Sequence, residues 1–202
     1  LVVGRFSVKG HTKNQLKAIE AFVKMRKSGR LGSDWELAVV GNLNESPETM
    51  DYLKVCREAA AGHPIVVQTN VPFKELVALY RSATCLWQWT GFGHPFGSVP
   101  ELCEHLGLVA MDCFAYGVIP LLFERSGASM LIEEGRTGWN FASYEELAAQ
   151  MEIVQRLFGE GSHQRTLIAL REAAQRFSAA SFRESLGKVI GSVRASHESA
   201  TN

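Results

Sequence analysis

Six short apolar runs, each set apart by a segment of helical length, constrain this chain more than any other feature. "LVVGRF" precedes a helical period over about 12–28, "WELAVVG" one over about 47–61, and "PIVVQ" one from Pro72 to Ser82. "TCLWQW" is followed by a helix from about Gly107 to Tyr116, and "VIPLLF" by a helical turn before "GRTGWNF". Strands joined through helices run parallel, and both faces of such a sheet are covered. The expected fold is α/β, a three-layer parallel sheet with helices on either side.

Local signals support the boundaries. Ser46 can cap a helix whose first position is Pro47, Gly62 can end it, and Pro72 opens the next. In the first helix Leu16, Ile19, Phe22 and Val23 form the expected buried stripe, and Lys13, Lys17, Glu20, Lys24 and Lys27 the outer face. After Tyr144 the chain reads as helices, the last with Phe182, Leu186, Val189, Ile190 and Val193 on one stripe. With no internal repeat or linker, one domain over 1–194 is expected, with 195–202 a frayed tail.

At 202 residues and 46% hydrophobic, the chain can bury a full core. Lys+Arg and Asp+Glu number 21 each, which argues against a nucleic-acid partner held by bulk positive charge and favours a small ligand. Cys56, Cys85, Cys103 and Cys113 lack metal or disulfide spacing and read as reduced thiols. No apolar stretch is long enough to span a membrane and no signal peptide opens the chain, so a cytoplasmic location is expected. The opening without Met suggests an excised domain.

Two familiar motifs fail on spacing. "GFGHPFG" puts its third glycine one residue late for a dinucleotide fingerprint, and "GRFSVKGHT" has its glycines and lysine in the wrong order for a phosphate loop. His63, His94 and His105 have no partner at metal-binding spacing, so no metal is expected.

The stretch "ELCEHLGLVAMDCFAYG" holds more chemistry. A helix starting near Gly107 presents unpaired N–H groups to an anion such as phosphate. Glu104 precedes that helix and Asp112 lies more than a turn inside it, where its carboxylate could accept bonds from a ribose diol. Two solvent-facing acids explain the same spacing. What favours the ligand reading is placement: this helix and the loop carrying Arg5 and Lys9 both follow strands, at the edge where α/β sheets collect ligands.

"VGRFSVKG", the "VVG" of Val39–Gly41, "TNVPFKELVALYRSA" and "EHLGLVAMDCFAYGVIPLL" together resemble the C-terminal domain of family 4 glycosyltransferases of the GT-B fold, over roughly residues 1 to 190. Toward the family pattern E-x-F-G-(apolar)-x-x-x-E-A-(apolar)-A-x-G-x-P this sequence supplies Glu104, Gly107, Leu108, Asp112, Ala115, Gly117 and Pro120, the last one residue beyond the pattern's proline. The resemblance implies a Rossmann-like donor-binding half and a retaining transferase that takes a UDP-sugar or GDP-sugar without a metal. It further implies that Arg5 and Lys9 bind the leaving diphosphate, that Gly107 and Leu108 donate backbone N–H groups to it with His105 and Leu106 also in the donor site, and that Glu104 holds donor-sugar hydroxyls. Asp112 would take the ribose and Val71 the base. The acceptor, a glycan, lipid or protein, would sit on a missing N-terminal domain.

Departures from the pattern leave two rivals open, a non-catalytic scaffold and a nucleotide-sugar epimerase. Asp112 is a methylene shorter than the usual Glu, Leu106 replaces Phe, Leu131 replaces an acid, and "SGA" keeps one glycine of a pair. Arg5 and Lys9 stand one residue closer than usual, with His11 a candidate substitute at the phosphate. "TGFGHPFGSVPELC" reads either as a lid beside the donor or as an inert insertion.

Overall fold

A computed structural model describes residues 1–94 and 100–200, without the side chains of 100 and 194–200. Among the described residues there are six parallel strands: β1 (Val2–Val3), β2 (Leu37–Gly41), β3 (Ile65–Thr69), β4 (Cys85–Gln88), β5 (Ile119–Phe123) and β6 (Trp139–Phe141). β1, β2 and β3 form one ladder in register, Val2 opposite Val39 and Val39 opposite Val67. β4, β5 and β6 form the other. The ladders are stitched together by the Leu1 amino group donating to the Cys85 carbonyl and the Trp87 N–H donating to the Leu1 carbonyl, both at 2.9 Å. The strand order is thus 3-2-1-4-5-6, the doubly wound order that leaves a crevice beside β1 and β4 where the winding reverses.

The helices are α1 (Gln15–Lys27), α2 (Pro47–Ala60), α3 (Phe73–Ser82), α4 (Leu108–Tyr116), α5 (Tyr144–Gly159), α6 (Gln164–Gln175) and α7 (Ala179–Ala200). Strand alternation sends Leu37 and Val39 into a core shared with α1, α2 and α5, and Val40 and Leu86 into a second one with α3 and α4. Both faces of the sheet are therefore covered, and the expected three-layer architecture stands. Ser46 caps α2 as its sequence indicated, its Oγ accepting from Thr49 N–H. Ser46→Ala is expected to cost about 1 kcal/mol, measurable as a lowered urea midpoint.

Three details differ from expectation. The buried stripe of α1 runs through Gln15, Ala18, Ile19, Phe22 and Met25, with Leu16 and Val23 at its margins. Lys13 precedes α1 instead of lying on its outer face, because Asn14 takes a left-handed conformation (φ 52°) that turns the chain before the helix begins. At the other end α7 carries helical backbone to Ala200, where fraying was expected from 195; no proline interrupts the segment. Its stripe is open to solvent, with Phe182 66% and Val193 63% exposed. Part of the "TGFGHPFGSVPELC" loop, residues 95–99, lies outside the described residues.

Candidate donor-binding site

The carboxyl ends of β1, β4 and β5 face one rim, and the segments leaving them converge on Glu104. Lys13 Nζ donates to Glu104 Oε2 at 2.5 Å, with side chains only 18% and 16% exposed. Gln88 at the end of β4 and the buried Thr90 add long contacts to the same oxygen, each at 3.5 Å. Burial alone would raise the Glu104 carboxyl; the hydrogen bond and charge of Lys13, with help from His11 and Gln88, outweigh it and hold the group below its ordinary value. Because the folded value is depressed, this pairing stabilises the fold above the unfolded carboxyl's pKa of about 4.3 and is lost as pH falls through the lower folded value. The urea midpoint of Glu104→Gln should show less dependence on pH across that acid window than the parent chain does.

The turn into α4 is set by close backbone approach. Gly107 is left-handed at φ 74°, and a Cβ there would meet Ala128 Cβ at 2.3 Å. Gly127 donates its N–H to the Glu104 carbonyl at 2.6 Å and leaves room for the His105 carbonyl, which a Cβ at Gly127 would overlap at 1.6 Å. The single glycine retained in "SGA" is thus the one against which the Glu104–Gly107 turn is built. No side chain caps α4, unlike α2 and α5, so the N–H groups of its first turn are not occupied by a cap.

The site residues proposed from sequence are placed unevenly. Glu104, His105, Leu106, Gly107 and Leu108 form the turn itself, with Leu106 and Leu108 exposed. Arg5 follows β1 on the same rim, is exposed, and its guanidinium makes no hydrogen bond or ion pair with a described residue. Val71 follows β3, half-buried against the core of α3 and α4. Asp112 lies on α4 beside Tyr80 of α3; burial raises its carboxyl, and the Tyr80 hydroxyl partly offsets the rise.

Lys9 is placed elsewhere: it pairs with Glu48 in the first turn of α2 at 2.7 Å, both side chains well exposed. The cation paired with Glu104 is Lys13, which spacing alone assigned to the solvent face of α1. Gly4 makes room for it, since a Cβ at that position would come within 2.6 Å of Lys13 Cγ. His11 also belongs to the cluster. Its Nε2 bonds the Cys103 carbonyl, and its ring sits 4.9 Å from that of His105. Among the described residues no group of three or more His, Cys, Asp or Glu is arranged to hold a metal ion.

An uncapped helix start and an adjoining lysine–glutamate pair lie on the rim where the winding of the sheet reverses. The family model for group 1 glycosyl transferases matches residues 1–177. The chain belongs to the group 1 glycosyltransferases. It is 24% identical over 159 residues to D-inositol 3-phosphate glycosyltransferase of Corynebacterium diphtheriae, covering 78% of this chain and 35% of that protein.

In fold, this glycosyltransferase chain superposes on Anabaena HepE solved with UDP and glucose (TM-score 0.64, 18% identity, 95% of this chain and 48% of that one). It also matches sucrose-phosphate synthase of Thermosynechococcus elongatus (TM-score 0.67, 19% identity, 96% and 45%). The pneumococcal O-GlcNAc transferase GtfA, solved with UDP and GlcNAc, aligns at TM-score 0.59 and 16% identity over 95% of this chain and 35% of that one. The architecture is the Rossmann-like unit of GT-B glycosyltransferases. The chain spans between a third and a half of the length of these relatives. No helix among the described residues is long and apolar enough to cross a membrane.

Proposed function

We propose that this chain is the donor-binding, C-terminal half of a family 4 retaining glycosyltransferase, and that a nucleoside diphosphate sugar lies along the rim from Val71 to Gly127. The observation that carries this reading is the Lys13–Glu104 pair set against the uncapped start of α4. It is a cation and a carboxylate held together beside free amides, the inventory needed to grip a diphosphate and a sugar at once.

In this reading the diphosphate rests on the Gly107 and Leu108 amides, with His105 and Leu106 in the same turn, and draws Lys13 and Arg5 to it. Lys13 thereby releases Glu104, whose carboxylate becomes free to accept hydrogen bonds from the sugar hydroxyls. Asp112 takes the ribose diol and the Val71 backbone the base. As the bond from the sugar's anomeric carbon to the diphosphate breaks, the electron pair leaves with the phosphate oxygen. Fixed amides and two cations stabilise that charge without a metal. Lys13 replaces Lys9 in this role, because Lys9 is committed to Glu48.

UDP in the HepE and GtfA structures supports a UDP-sugar as the donor, with a GDP-sugar as the alternative. In this reading the acceptor would be held by an N-terminal domain outside this chain, so the chain alone should bind nucleotide yet transfer sugar poorly. Calorimetry of the chain with UDP, GDP and their glucose conjugates tests the assignment. Saturable binding of one nucleotide at submillimolar concentration is expected; no binding of any at millimolar concentration would support a scaffold instead.

A further inference from the structure

Tyr80, in the last turns of α3, is only 2% exposed. A phenol buried that deeply normally finds a partner for its hydroxyl, since an unpaired one loses the hydrogen bonds it had in water. The Tyr80 hydroxyl makes no hydrogen bond of good geometry with a described residue. Its ring cannot swing out to find one. It stacks on Tyr116 with centroids 5.3 Å apart and planes 21° from parallel, and it packs in the core formed by Val40, Leu86, Cys113 and Val118.

Across the α3–α4 contact the Asp112 carboxylate is close enough for it and the Tyr80 hydroxyl to alter each other's ionisation. Asp112 makes no ion pair with a described residue, lies one helical turn before the Tyr116 ring that stacks on Tyr80, and is exposed on its other side. A rigid, poorly satisfied donor thus stands beside a carboxylate acceptor on the neighbouring helix.

We propose that Tyr80 is a positioning residue for Asp112: its hydroxyl donates to one carboxylate oxygen and turns the other toward the nucleotide's ribose hydroxyls. The inference rests on the assignment of Asp112 to the ribose made above. Aspartate has a short side chain and two carboxylate oxygens. Holding one from behind by a group that cannot move fixes the direction of the other, so less rotational freedom is lost when a diol binds.

The ionisation of Asp112 carries an independent signature. The titratable groups around it are Tyr80 on α3 and Cys113 and Tyr116 on its own helix, the thiol of Cys113 being driven far toward its neutral form by burial. Burial raises the Asp112 carboxyl and the Tyr80 hydroxyl opposes that rise. Removing the hydroxyl should therefore move the Asp112 titration to higher pH, and the acid limb of nucleotide binding should move with it.

The test is Tyr80→Phe in this chain, followed by carbon-13 NMR titration of the Asp112 carboxyl and by calorimetry with UDP and 2′,3′-dideoxy-UDP. The expected results are an upward-shifted Asp112 titration and UDP binding weaker by about three- to tenfold at neutral pH, the range for one hydrogen bond to a charged group. With the dideoxy nucleotide the parent and variant should bind alike. In an Asp112→Ala background, which leaves the Tyr80 hydroxyl no acceptor at that position, adding Tyr80→Phe should weaken UDP binding no further. An unmoved Asp112 titration overturns the positioning role, as does a Tyr80→Phe effect that persists undiminished beside Asp112→Ala. A moved titration with unchanged UDP affinity overturns the ribose assignment of Asp112 while leaving its contact with Tyr80 in place.

Discussion

Lys13→Ala should weaken UDP binding by about ten- to a hundredfold, or about 1.5–3 kcal/mol, the range for a hydrogen bond to a charged group. Lys9→Ala should leave affinity within about twofold, because an ion pair between exposed side chains contributes roughly 0–1 kcal/mol and this one involves α2 instead of the α4 turn. The contrast matters more than either value. Both lysines lie in one basic loop, so a merely electrostatic attraction of the nucleotide to that loop would make the two substitutions similar. Calorimetry at two salt concentrations separates the cases. A specific Lys13 contact survives at the higher salt, where diffuse attraction is screened.

Gly127→Ala is expected to do the greatest damage to the fold of the site. The new methyl would overlap the His105 carbonyl oxygen at 1.6 Å, and that atom belongs to backbone held by the Gly127 N–H to Glu104 carbonyl bond. A flexible side chain could swing aside, but this backbone can yield only by moving the turn that sets Glu104 and Gly107. A loss of about 3 kcal/mol in stability is expected, with nucleotide affinity falling alongside it. Gly159→Ala at the end of α5 is the control: a Cβ there has nothing within 4 Å, and alanine favours the helix. Thermal melts of the two variants should therefore move in opposite directions, and a Gly127→Ala variant that melts and binds like the parent would show that the turn is not held as described.

Much of the fold was legible because its signals are local. Apolar runs of strand length separated by helical periods specify parallel crossovers, and the Ser46-Pro47 start and Gly62 end of α2 act through their own backbone neighbours. The α4 turn was legible for the same reason, since Glu104, Gly107 and Asp112 are fixed by position along one element. Lys13 was not. Its spacing fits the outer face of a helix that begins at residue 12, and only the left-handed Asn14, with α1 starting at Gln15, takes it off that face. Choosing between Lys9 and Lys13 requires knowing that Glu48 stands near one and Glu104 near the other, which are contacts across 39 and 91 residues. His11 was named as a possible phosphate partner, but its approach to Cys103 and His105 is likewise tertiary. Nothing in the sequence singled out Tyr80. Periodicity predicts that such a ring is buried and cannot tell that its hydroxyl lacks a hydrogen bond of good geometry.

The central claim is that the start of α4 and Lys13 together seat a nucleoside diphosphate, and an amide chemical-shift map of the chain titrated with UDP tests it most directly. The account predicts the largest shifts at Gly107 and Leu108 and along the Lys13 segment, with smaller ones near Val71 and Asp112. Shifts confined to the opposite edge of the sheet, around Leu37 and Thr84, or none up to millimolar UDP, would contradict it.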